Sequence, residues 1–223
     1  MNLMRCRKKT ALRICYNSCM IKYSDTFPVG PYAVNCSIVH TEKDDVFVID
    51  PGAEPEKILA CLGDAKLRPT AILLTHGHFD HIGAVNALQA AFPGLPVYVG
   101  EKDIPVLTHP MNQCPPDYPP IRKPSDIRIA DSGNGPAGIE VISTPGHTPG
   151  GVCYRFKEDA RLYSGDTLFA GSVGRTDFPG GDMATLMRSL ERLKDLPDDT
   201  TVIPGHGPET TIGDEKLGNP FLQ

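Results

Sequence analysis

No stretch of this 223-residue chain approaches the ~20 consecutive apolar residues that a membrane-spanning helix needs, so no membrane partner is expected. Basic charge is not in excess either. Lys and Arg number 22 against 27 Asp and Glu, a net charge of −5 with a pI near 5.8, which leaves no electrostatic footprint for nucleic acid. No Gly-x-Ser-x-Gly occurs to suggest a serine nucleophile, and no repeat or low-complexity tract is present. Cys36, Cys61, Cys114 and Cys153 show neither metal-ligand nor framework spacing, and read as thiols of a reducing cytoplasm.

The opening is short of acid: Arg5, Arg7, Lys8, Lys9 and Arg13 stand among Cys6, Cys15 and Cys19 with no Asp or Glu. A secretory signal is not expected, because Arg13, Asn17 and Ser18 interrupt any apolar stretch and no small-residue cleavage site follows; a transit peptide stays open without a feature that supports it. Residues 1–19 are therefore expected to be a disordered or non-native extension, with Met20 the natural start and 20–223 a single domain.

What the chain does have is Thr75-His76-Gly77-His78-Phe79-Asp80-His81, directly after the apolar run Ala71-Ile72-Leu73-Leu74. Imidazole and carboxylate are what Zn, Fe and Mn bind well, and no ordinary structural need sets so many such donors side by side. Period-2 geometry at a strand end sends His76 and His78 to the same side; the chain then turns and lets Asp80 and His81 face a second position. Three later β-type runs also end in Gly/Pro-rich turns that carry a donor. They are Ile139–Ser143 before His147, Arg161–Tyr163 before Asp166, and Thr201–Ile203 before His206. Loops on one edge of a scaffold are where sites are built, so these strand ends point to a two-metal site.

This His-x-His-x-Asp-His loop with a later His, Asp and His resembles the metallo-β-lactamase-fold hydrolases. Within them the chain is similar to the short, single-domain glyoxalase II type, the hydroxyacylglutathione hydrolase-like proteins. The closer likeness rests on Gly174-Arg175-Thr176-Asp177-Phe178-Pro179-Gly180-Gly181-Asp182, on Pro204-Gly205-His206-Gly207-Pro208 with Thr210-Thr211-Ile212-Gly213 and Glu215, and on Asn219-Pro220-Phe221-Leu222-Gln223. The resemblance implies that His76, His78 and His147 hold a first divalent ion, that Asp80, His81 and His206 hold a second, and that Asp166 bridges them. Zn is the first expectation, with Fe or Mn admitted by the hard bridging carboxylate. A hydroxide shared by the two ions would be the nucleophile, with Asp80 placed to orient it or shuttle its proton. A basic residue at the position of Arg175 contacts the glutathione part of the substrate in the resembled family. The implied activity is cleavage of S-(2-hydroxyacyl)glutathione-type thioesters. A persulfide dioxygenase-like mononuclear iron oxygenase, using His76, His147 and Asp166, is the alternative, and a lactonase or other ester hydrolase comes after it. The added helical domain of longer glyoxalase II enzymes has no counterpart in the few residues after His206, and a nuclease-type insertion does not fit this length.

Around the donors, strands are expected at 33–39, 46–49, 70–74, 97–99, 139–143, 152–156, 161–164 and 201–203, and helices at 54–62, 83–91 and 183–195. The last carries Met183, Leu186, Met187, Leu190 and Leu193 at helical spacing, with Asp182 as its N-cap. Two such halves fit an α/β, four-layer αβ/βα sandwich. Asp50, in Val48-Ile49-Asp50-Pro51-Gly52, reads equally as the orienting partner of a metal-bound histidine or as a plain turn. Thr75, Thr144 and Thr148 are further orienting candidates, while His40 and His109 match no ligand position. The Pro-rich stretch 110–124, with Met111, Pro115, Pro116, Tyr118 and Pro119, reads as an excursion near the site mouth that either meets substrate or is a surface loop.

Overall fold

A computed structural model describes residues 19–113, 118, 121–136 and 138–223. The basic opening, Cys114, Pro115, Pro116 and Pro119 lie outside the described residues. The first half runs β1 (Ile21–Val29), β2 (Val34–Thr41), β3 (Val46–Ile49), α1 (Pro55–Asp64), β4 (Ala71–Leu73), α2 (Phe79–Ile82), α3 (Val85–Ala91), β5 (Val97–Val99) and β6 (Ile127–Ile129). Its six strands form one sheet in sequence order, antiparallel from β1 to β3 and parallel from β3 to β6. The second half runs β7 (Glu140–Ser143), β8 (Val152–Phe156), β9 (Arg161–Gly165), β10 (Leu168–Phe169), β11 (Ser172–Val173), α4 (Met183–Lys194), β12 (Thr201–Pro204), β13 (Thr210–Thr211) and α5 (Ile212–Gly218). Five of its strands form a sheet in the order β13-β12-β9-β8-β7, and β10 with β11 makes a small hairpin.

The alternation of side chains along each strand sets the layers. In β3, Val46 and Val48 face α1 and α3, where they meet Ile58, Leu62 and Leu88. Phe47 and Ile49 face the other sheet and share a cluster with Tyr154, Phe156, Tyr163 and Ile203. On the far side Leu162 and Val202 pack under Leu186, Leu190 and Leu193 of α4 and Ile212 of α5. Helix, sheet, sheet and helix thus make the expected four-layer sandwich, with both sheets inside. Asp182 caps α4 as read, accepting from Thr185 N–H at 2.7 Å.

Three expectations need correction. The helix placed at 83–91 is α3 and starts only at Val85, and the short α2 before it was not foreseen; between them the Ala84 N–H bonds Pro51 C=O at 2.9 Å. Strands β1, β6, β10, β11 and β13 and helix α5 were not foreseen. Cys19, assigned by sequence to the extension, is 1 % exposed and sits in the core between the sheets. No described helix is long and apolar enough to cross a membrane.

Candidate metal centre

Strands β3, β4, β7, β9 and β12 all end on the same edge of the sandwich, since β3 runs parallel to β4, β9 parallel to β12, and β7 is antiparallel to β8, itself antiparallel to β9. Their following loops deliver all seven donors to one spot. His76, His78 and His147 form one group, Asp80, His81 and His206 another, and His76, His81 and Asp166 a third between them; in each, the ligand atoms lie within 4.8 Å of one another. Asp166 joins the two ends: Oδ1 is 3.3 Å from His81 Nε2, and Oδ2 is 3.6 Å from His147 Nε2 and 3.7 Å from His206 Nε2. Only a glycine tolerates this approach at 205, where a Cβ would lie 2.2 Å from Asp166 Oδ1 and 2.7 Å from His81 Cε1.

The nitrogens turned away from the centre are held by the protein. His147 Nδ1 donates to Arg175 C=O at 2.6 Å, His206 Nδ1 to Tyr32 C=O at 2.9 Å, and His81 Nδ1 to Asp50 Oδ2 at 3.0 Å. His76 Nδ1 meets Thr75 Oγ1 at 3.1 Å. Asp50 is therefore an orienting residue as well as a turn residue. The hydroxyls of Thr144 and Thr148 bond Thr167 and Asp103 rather than a ligand ring. His40 pairs with Asp44, and neither it nor His109 belongs to a donor group.

Inside the ring of holders, His76 Nε2, His81 Nε2 and Asp166 Oδ1 are buried without a hydrogen-bond partner. Orphaned polar atoms of this kind are rare in a folded interior, and here they converge from different loops. Divalent cations would satisfy them; the donor set of imidazoles and carboxylates fits Zn, Fe or Mn.

Electrostatics divide the centre. Burial, with His81, His147 and His78 nearby, holds His76 well below the usual imidazole range, and burial with His147 and His81 lowers His78 to about 4. Both stay neutral, as ligation requires. Burial also pulls on His81, but Asp166, Asp50 and Asp80 outweigh it and raise its pKa well above the usual value. Asp166 and Asp80 are held low by their histidine neighbours despite burial, so both remain carboxylates at neutral pH.

Aromatic and charged side chains border the donors. Phe178 meets His78 edge-on at 5.5 Å, and the Arg175 guanidinium lies 4.1 Å over the Phe178 ring. That guanidinium is exposed and makes a bidentate pair with Asp177, Nε and Nη2 each at 2.6 Å. Tyr118 meets Phe79 edge-to-face at 5.0 Å, and Phe79 meets Tyr32 in the same way at 5.4 Å. On the remaining side the β10–β11 hairpin brings Phe169 within 6.2 Å of His206. Its tip is tied down by buried Glu215, which accepts from Gly171 N–H at 2.9 Å and from Asn219 Nδ2 at 2.7 Å. Sequence reading missed Tyr32, which acts through its main chain. It also missed Phe169, which no spacing rule connects to His206.

An αββα sandwich with a seven-donor, two-group centre at one edge defines a di-metal hydrolase scaffold. The chain belongs to the metallo-beta-lactamase superfamily, whose family model matches residues 29–206. It is 40 % identical over 202 residues to the "Probable metallo-hydrolase YqgX" of Bacillus subtilis, covering 87 % of this chain and 95 % of that one. It is 36 % identical over 210 residues to hydroxyacylglutathione hydrolase GloC of Haemophilus influenzae, covering 89 % and 97 %. The solved structure of TTHA1623 in a di-iron-bound form superposes with a TM-score of 0.82 at 44 % identity, covering 89 % of this chain and 100 % of that one.

Proposed function

We propose that the protein is a dinuclear metal-dependent hydrolase acting on thioesters of the S-(2-hydroxyacyl)glutathione type. The observation that carries the dinuclear reading is Asp166, one carboxylate within 3.7 Å of ligand nitrogens in both groups. His76, His78 and His147 would hold one ion and Asp80, His81 and His206 the other, with Asp166 between; Zn, Fe and Mn all suit this set. Two such ions supply an acidified water at neutral pH and positive charge against a developing oxyanion.

The chain's own groups supply the rest. Asp80, kept ionised, has its Oδ2 3.4 Å from His206 Nε2 and is placed to orient a water and accept its proton. Phe178 and Phe169 wall the centre with apolar surface on two sides. Arg175 spends Nε and Nη2 on Asp177, which leaves Nη1 for a carboxylate on the thiol carrier. The thioester class is supported by the likeness to the hydroxyacylglutathione hydrolase of Haemophilus influenzae. The free thiols Cys19, Cys36, Cys61 and Cys153 suit a cytoplasmic setting with a small-molecule partner.

Metal analysis joined to a substrate panel tests this reading. The expected result is about two metal equivalents per chain, hydrolysis of S-lactoylglutathione, loss of that activity on chelation and its return on metal addition. A single iron with oxygen consumption on a persulfide would replace the proposal with the oxygenase. Turnover of lactones but not thioesters would move it to the ester hydrolases.

A further inference from the structure

Between β5 and β6 the chain makes three short 3₁₀ turns, Glu101–Asp103, Val106–Thr108 and Pro110–Gln113. Two buried polar side chains from these turns reach the donor loops. Asp103 is 0 % exposed. Its Oδ2 accepts from Gly77 N–H and from Thr148 Oγ1, both at 2.8 Å, and its Oδ1 accepts from Gly150 N–H at 2.6 Å. Gly77 separates His76 from His78, and Thr148 follows His147. A single carboxylate therefore spans two loops that leave different sheets and carry the three histidines of one group.

Asn112 grips the first loop from another side. Its Nδ2 donates to Gly77 C=O at 2.6 Å and also to Val106 C=O, while its Oδ1 accepts from Phe79 N–H at 3.0 Å. The peptide groups on both sides of His78 are thus fixed by side chains. No strand ladder is available to satisfy them, because β4 ends at Leu73 and α2 begins only at Phe79. The three segments are pressed together: a Cβ at residue 150 would lie 2.4 Å from Asp103 N, and a Cβ at residue 100 would lie 1.9 Å from Gly150 O.

A buried carboxylate whose donors are two amides and a hydroxyl is costly to desolvate, and an apolar side chain would avoid that cost. An apolar side chain cannot accept three hydrogen bonds, however, and an asparagine here would turn an NH₂ toward one of the backbone N–H groups. The arrangement is of use where two loops must be held in register. We propose that Asp103 and Asn112 are positioning residues, a clasp that sets His78 and His147 at the separation required by the ion of the His76, His78 and His147 group. The inference rests on the dinuclear reading above and extends it to residues outside the donor set.

The isosteric variants Asp103→Asn and Asn112→Asp test it. Each is titrated with Zn²⁺ against a chromophoric chelator, and the melting temperature of the ion-free protein is recorded beside the titration. The expected result is that wild type binds two equivalents. Each variant should keep one and bind the other roughly ten- to a hundredfold more weakly, the range known for groups that orient metal ligands. Lowered ion-free melting temperatures with both affinities unchanged would make the clasp merely structural and overturn the proposal, as would two equal losses. If Asp103→Asn does not fold, Thr148→Val removes one of the three bonds and should weaken the same equivalent by a smaller factor; no change would overturn the proposal. Fewer than two equivalents in wild type would instead refute the dinuclear reading itself.

Discussion

Asp50 and His81 share a hydrogen bond of 3.0 Å, and the same Asp50 oxygen also accepts from Thr75 Oγ1 at 2.6 Å. Since the one hydroxyl proton of Thr75 goes to Asp50, Thr75 Oγ1 must accept from His76 Nδ1. One carboxylate therefore sets the tautomer of a histidine in each donor group and leaves both Nε2 atoms free toward the centre. Asp50 does this from a left-handed backbone position, φ 47°, which Asp tolerates better than most residues. Asp50→Asn replaces one acceptor with a donor, and it should weaken both metal equivalents by roughly ten- to a hundredfold in a chelator competition. A loss confined to one equivalent would show that Asp50 serves only one histidine.

Asp166 and His206 should differ in their metal phenotypes. Asp166→Ala removes the carboxylate that reaches both groups, so occupancy of both should fall together. His206→Ala should empty mainly the group it shares with Asp80 and His81. Elemental analysis after dialysis distinguishes the two patterns, and full occupancy in Asp166→Ala would remove its bridging role.

The lowered pKa of His78 fixes the sign of a pH effect in the ion-free protein. Folded His78 titrates near 4 and unfolded His near 6.5, so the unfolded chain binds more protons between these values. Stability should therefore fall as pH drops from about 6.5 to about 4, by about 3 kcal/mol from this residue. The raised His81 acts oppositely: its contribution is complete below about 6.5 and is lost as pH rises through its higher folded value. Urea unfolding with chelator present, across this range, should show a shallower acid slope in His78→Gln than in wild type. Equal slopes would mean that His78 is not held neutral.

These relationships were unequally legible in the sequence. The donors could be found because each follows an apolar β-type run, and β3 and β4 are short continuous apolar runs, buried along their whole length. The edge strand β1 could not: Lys22, Ser24, Asp25 and Pro28 blur any alternation, and only its pairing with β2 makes it a strand. The break between α2 and α3 depends on Pro51, far away in the chain. The orienting carbonyls of Tyr32 and Arg175 belong to the backbone, so no residue type announces them. Asp103 looks like any charged residue in a polar turn until folding brings Gly77, Thr148 and Gly150 around it.

Arg175 has two separable parts, and this sharpens its test. The main-chain carbonyl holds His147 and survives substitution by alanine, whereas the guanidinium is lost. Arg175→Ala should therefore keep metal content and reduce kcat/KM on S-lactoylglutathione by roughly ten- to a hundredfold, the loss expected for one charge-assisted contact. A small neutral thioester should lose much less. Equal losses on both substrates would assign the side chain to loop support through Asp177 and Phe178.

The tie between Glu215, Asn219 and the β10–β11 hairpin gives the tail of the molecule a voice in its mouth. Asn219 Nδ2 also donates to Ser172 C=O at 3.0 Å, so it reaches the hairpin that leans Phe169 on His206. Proteolytic trimming of Asn219–Gln223 would spare every donor yet release this latch and take buried Leu222 out of the cluster under α4 and α5. A clipped preparation should keep its metal ligands while its apolar wall drifts, losing some stability and discriminating poorly among substrates.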